Sequence, residues 1–199
     1  MIKKTVISGN VSVLGIPKSH FAYYMARDFF DKGIAATNDL HRPKSKLTEK
    51  THWMVCFPVC SIAFSLELAL KGFLTDEQIT NFRKKNGKRG HELSDLYKLI
   101  DIDTQNKIIK HFEECDSFRN SFFVVSYKPS TAKTSPKVYT STVQRINTAL
   151  INSNTSFQDF RYFYSLDLTK EYEFDFNTLV QFTHACLAVK AEELGIDYN

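Results

Sequence analysis

The segment from Ser61 to Leu74 constrains the fold more than any other part of the chain. Apart from Glu67 and Lys71 it is apolar or small at every position, so a helix drawn through it is apolar nearly all round. Such a helix has to be buried on every side, and the rest of the chain must supply the elements that surround it. The uncharged part of the wider apolar stretch, Trp53–Leu66, is too short to span a bilayer. The N-terminus begins like a signal peptide but lacks the long apolar segment. The expectation is a soluble, cytoplasmic protein built around one central helix.

The remaining composition agrees with that plan. Glycine (7) and proline (5) are scarce and phenylalanine (17) and tyrosine (9) abundant, which argues against many short strands joined by turns. A chain of 199 residues buries roughly 70% of its unfolded surface, enough for a core without a disulfide or metal. Cys56, Cys60, Cys115 and Cys186 form no C-x-x-C pair and no zinc spacing, and each falls in an apolar helical stretch. Free cysteine there behaves as a small hydrophobe and fits a reducing compartment.

The periodicities predict a mainly α protein, an antiparallel bundle of about five to six helices with a short β element before the last. Residues 1–199 form one domain, in which 1–17 is an extension with a short hairpin in 5–14. A first helix is expected over Ser19–Lys32, with Phe21, Ala22, Met25, Ala26 and Phe29 on its inner side, then a polar connection over 37–50. The central helix covers 52–74, where Pro58 either kinks it or marks its start. Thr75 to Gln78 has capping-box spacing for a helix to Asn86, and Gly87 is placed to end it. Leu93, Leu96, Tyr97 and Ile100 form the next stripe. Asp101 or Asp103 caps a helix over 104–125, with Ile108, Ile109, Phe112, Cys115 and Phe122 inward. Residues 126–137 read as a flexible basic loop, and 138–151 as a helix on Tyr139, Val143, Ile146 and Leu150. Residues 160–176 alternate like a half-buried strand, with 160–164 as hairpin partner. The last helix, Asn177–Leu194, turns Leu179, Phe182, Cys186 and Val189 inward and is followed by Gly195.

Charge is unevenly spread. Residues 1–150 carry 23 basic and 14 acidic side chains, while 151–199 carry 3 and 8. The densest basic run, Arg83, Lys84, Lys85, Lys88 and Arg89, contains no acid. Such a run suits phosphate contact; its plainer reading is a solvated face balanced by the acidic tail.

Among residues that could carry chemistry, Glu67 stands out, because a carboxylate in so apolar a helix needs a partner. Lys71 lies one turn on in the favourable order, and Arg119 could reach it from another helix. Arg119 reads as a carboxylate clamp or, alternatively, a phosphate contact. His91 reads as a packing residue at a helix start, and His111 and His184 as core or boundary residues. No Walker loop, GxGxxG, HExxH, metal-ligand set or nucleophile elbow is present.

Three pieces together resemble one family. Leu66–Leu74, with Glu67, Leu70 and Lys71, looks like the E-x-x-L-K helix of small prokaryotic HEPN-domain proteins. Gly90-His91-Glu92-Leu93-Ser94-Asp95-Leu96 resembles their G-H-x-L-x-x-L segment, and Phe160-Arg161-Tyr162 the F-R-Y before their last helix. The resemblance implies an antiparallel bundle, often a homodimer, in a toxin–antitoxin, phage-defence or RNA-processing setting. Catalytic members are metal-independent ribonucleases carrying Arg-x(4–6)-His. Here Arg119 is followed by Asn120, Ser121, Phe122, Phe123, Val124, Val125, Ser126 and Tyr127, without a histidine.

The resulting expectation is a non-catalytic HEPN-like binding domain without metal or cofactor. Glu67, Lys71, His91 and Arg161 would form a structural polar cluster near a cleft, and Arg83, Lys84, Lys85, Lys88 and Arg89 a nucleic-acid surface. Its partners would be RNA or nucleotide, a protein such as an antitoxin or nucleotidyltransferase, and a second copy, but no membrane. The alternatives are a divergent ribonuclease using Arg119 with His91 or His111 as acid and base, and a protein adaptor docking through exposed aromatics.

Overall fold

The computed structural model describes residues 17–41, 53–86, 91–115, 125–126, 139–154 and 173–198. They form a mainly α fold with seven helices: α1 (Lys18–His41), α2 (Trp53–Gly72), α3 (Asp76–Asn86), α4 (Leu93–Lys98), α5 (Ile102–Glu114), α6 (Thr142–Asn152) and α7 (Phe176–Leu194). The short helices α3 and α4 stand where the capping box at Thr75 and the Leu93–Ile100 stripe place them. The hairpin expected in 5–14 lies outside the described residues.

Two helices occupy the centre. In α2 the residues Ile62, Ala63, Leu66, Ala69 and Leu70 are buried, as its all-round apolarity requires. The helix runs through Pro58, so that residue does not mark its start. In α7 nearly every side chain from Phe176 to Ala191 is buried. Asp175 caps this helix, accepting from the Thr178 amide at 3.0 Å. Gly195 ends it in the left-handed conformation, φ 66°, which glycine adopts without steric cost.

Helix α1 packs antiparallel on α2. Ser65 Oγ donates to the Ala26 carbonyl at 2.6 Å, the Phe29 and Phe64 rings meet edge-on at 4.7 Å, and Gly33 lies against Ile62 and Ser61. A Cβ at Gly33 would fall 2.9 Å from Ile62 Cδ1 and 3.2 Å from Ser61 Cβ, so the glycine permits the close approach. The helix extends nine residues beyond Lys32, correcting the expected end and the expected connection from 37. Its buried positions are Tyr23, Ala26, Phe30, Gly33 and Thr37, a regular three-and-four spacing. Of the expected inner face, Ala26 is buried, Ala22, Met25 and Phe29 are half-buried, and Phe21 is exposed.

Capping sets several of the other boundaries. Thr75 and Gln78 form a reciprocal capping box: the Thr75 amide donates to Gln78 Oε1 at 2.8 Å and the Gln78 amide to Thr75 Oγ1 at 3.2 Å. Asp101 caps α5 by accepting from the Thr104 amide at 2.9 Å. These hydrogen bonds hold its carboxyl below the ordinary value. Leu93, Leu96, Tyr97 and Ile100 are buried as expected. Ser141 caps α6, so that helix starts later than 138. Its buried residues are Ile146, Ala149 and Leu150, and Val143 is exposed.

Helix α5 ends at Glu114, not near residue 125, because Cys115 leaves helical geometry (φ −84°, ψ 88°). The carbonyls of Phe112 and Cys115 are received by the buried Gln181 of α7, whose Nε2 donates to them at 2.6 and 2.9 Å. Val125–Ser126 (β1) then pairs antiparallel with Glu173–Phe174 (β2) for two residues. The partner expected at 160–164 lies outside the described residues.

Gln181→Leu keeps similar volume but removes both donors. We expect a loss of about 1–3 kcal/mol of stability, measured as a lower denaturant midpoint at unchanged slope.

Candidate functional site

The geometry around Glu67 follows from its position on α2. This residue is 3% exposed in the helix that the fold surrounds, yet its carboxylate must keep hydrogen-bond partners. Lys71, one turn on and 13% exposed, places Nζ on Glu67 Oε1. The same oxygen lies 2.7 Å from His91 Nδ1, from the segment that leads into α4. A carboxylate only accepts, so Nδ1 carries the proton in this contact. One buried oxygen thus joins two basic side chains from different parts of the chain, and ties the entry of α4 to α2. Nearby, Asn154 after α6 holds the start of α4 from the other side. Its Oδ1 accepts from the Ser94 amide at 2.9 Å and its Nδ2 donates to Ser94 Oγ at 3.0 Å.

Lys71 also lines a groove of about 900 Å³ between the start of α1, the end of α2 and the face of α3. Helix α3 turns away from α2 by 120°, which opens this space. Ala22, Leu68, Leu74 and Ile79 form its apolar part, and Lys18, Lys71 and Arg83 its cations. Asp76 is its one acid among the described lining residues and contacts Lys18, both side chains being largely exposed.

Of the expected site residues, Glu67, Lys71 and His91 come together. Arg161, Arg119, Lys88 and Arg89 lie outside the described residues, and Lys85 is described only as part of α3. Arg83 and Lys84 are exposed on α3. His111 is not with His91 in this cluster: its Nε2 meets Glu192 Oε1 at 2.9 Å.

Two polar groupings were not anticipated. Arg145 Nε donates to Thr178 Oγ1 at 2.7 Å and lies 3.8 Å from Asp175, with its guanidinium over Phe112. It joins α6 to Phe112 of α5 and to the start of α7. Cys115 Sγ lies 3.7 Å from His184 Nδ1, whose ring packs on Phe30 and Tyr198. Burial, with the nearby charges of Arg27 and His111, lowers the pKa of His184. Nothing local in the sequence joins positions 115 and 184. Burial pushes the Cys56 thiol up to about 11, and that of Cys186 further.

No group of three or more His, Cys, Asp or Glu is placed to hold a metal among the described residues. No single helix among them is long and apolar enough to cross a membrane. Compared with protein-family models, characterised proteins and solved structures, the chain matches none.

Glu67→Ala removes the buried carboxylate and leaves the half-buried Lys71 without its counter-charge. We expect a loss of about 3–5 kcal/mol, against about 0.3–0.5 kcal/mol for an exposed helical pair. Glu67→Leu combined with Lys71→Met should cost less than Glu67→Ala alone, since no unpaired charge remains. Urea denaturation of the variants checks both statements.

Proposed function

We propose that the chain is a HEPN-like, non-catalytic domain that binds single-stranded nucleic acid across the face formed by the groove and α3. The observation that carries this reading is the placement of Arg83 and Lys84. Both are exposed, neither pairs with a carboxylate among the described residues, and Arg83 opens onto the groove that Lys18 and Lys71 also line. The basic run continues in the sequence to Arg89. Lysine and arginine so placed neutralise phosphates irrespective of base sequence. Phe21, exposed on α1 one turn from Lys18, offers an aromatic face of the kind on which unpaired bases stack.

The HEPN part of the proposal is supported by the contact between Glu67 and His91. It joins two of the three pieces that carry the resemblance, 24 residues apart in the chain. The non-catalytic part rests on the sequence: none of the residues from Asn120 to Tyr127 that follow Arg119 is the histidine of the Arg-x(4–6)-His spacing.

The test is fluorescence anisotropy with a labelled single-stranded RNA at several salt concentrations. Binding should weaken steeply with salt. Replacing Lys84, Lys85 and Lys88 by Gln together should lower the slope of log affinity against log salt by about 2, with unchanged thermal stability and no cleavage of the RNA. Absence of binding at low salt would favour the protein-adaptor reading. Metal-independent cleavage lost in both Arg119→Ala and His91→Ala would show a ribonuclease.

A further inference from the structure

We propose that the groove between α1, α2 and α3 is a phosphate-binding site, with Lys71 at its base and Arg83 on its rim as the groups that receive the anion. The inference deepens the nucleic-acid reading and rests on it only for the phosphate source, a strand backbone; a free phosphate ester is the other source with the same chemistry.

Lys71 differs from an ordinary surface lysine. It is held by Glu67 one turn back on α2, its side chain is 13% exposed, and it is among the residues that line an open groove. An ammonium has three donors, and the contact with Glu67 uses one. The side chain is thereby fixed before any ligand arrives, which reduces the ordering cost of binding. Glu67 acts here as a positioning residue: it is buried beneath the groove and is not among its lining residues.

The rest of the lining has the matching chemistry. Arg83 presents a planar fork suited to two phosphate oxygens. Ser19 and Thr80 bring hydroxyl donors, and Ala22, Leu68, Leu74 and Ile79 provide apolar walls, which limit competing water and strengthen charge interactions. Lys18 is engaged with Asp76, but both side chains are more than half exposed. A pair of that kind is weak, and Lys18 can turn to a more highly charged anion. A carboxylate ligand would offer one charge and two oxygens; a phosphate offers more of both to three cations.

The test titrates the full chain with inorganic pyrophosphate, following backbone amides by NMR. Shifts should concentrate at Ser19, Gly72, Thr80 and Arg83. Affinity should fall about tenfold or more in Arg83→Gln and in Lys71→Gln, be largely kept in Lys71→Arg, and be unchanged in Lys110→Gln on α5. Arg83 is exposed on α3, so Arg83→Gln reads the site even where Lys71→Gln fails to fold. Absence of shifts in the groove, or equal affinity in Arg83→Gln, would overturn the inference. RNA binding that persists in that case leaves the nucleic-acid reading standing. Pyrophosphate that binds in the groove and displaces RNA identifies the backbone as source. Pyrophosphate that binds there without RNA binding at low salt supports the site, assigns it to a free phosphate ester, and removes the nucleic-acid reading.

Discussion

The buried carboxylate of Glu67 is the constraint on which the arrangement around the site depends. It stands in a helix that the fold encloses, where a charge without partners costs several kcal/mol. The chain meets this locally with Lys71 and at long range with His91. Because both reach one oxygen, the direction of α2, the entry of α4 and the wall of the groove are set together. A hydrophobic residue at position 67 would pack well but would leave Lys71 untethered and the approach to α4 without its polar contact. Buried polar groups do not always confer specificity; in this fold the specific consequence is the register between α2 and the residues before Leu93.

Features that depend on neighbouring residues were legible before the fold was known. The capping box at Thr75, the Asp101 cap, the Leu93–Ile100 stripe and the Gly195 stop each involve residues within a few positions of one another. Features decided by other elements were not. The helical spacing put Phe21, Ala22, Met25, Ala26 and Phe29 on the inner side of α1, and Phe21 is the one of these that is exposed. Ala26 does lie on the buried face, which also holds Tyr23, Phe30, Gly33 and Thr37; at Gly33 α2 comes too close for any larger residue. Likewise, α5 stops at Glu114 although its apolar spacing continues to Phe122. The buried amide of Gln181, 66 residues further along, takes up the carbonyl of Cys115.

The candidate site divides in the same way. Glu67 could be singled out, and Lys71 paired with it, from helical spacing alone. The second partner expected from another helix was Arg119, which lies outside the described residues, whereas the resemblance grouped His91 in the same cluster. Arg145 with Asp175, and Cys115 with His184, had no such signal. Both pairs join elements far apart in the chain, and each depends on how α7 lies against α5 and α6. The basic run on α3 was plain in the sequence, whereas the groove beside it arises from the turn between α2 and α3 and could not be read from composition.

The account's central claim is that Glu67 and His91 act as one unit linking α2 to α4. A double-mutant cycle on stability, with Glu67→Gln, His91→Ala and the combined variant, measures this directly. His91 is partly exposed, so the coupling should be smaller than for a fully buried charged hydrogen bond, about 1 kcal/mol. Additivity of the two changes to within about 0.3 kcal/mol would show that the two residues do not interact in solution and would contradict the account.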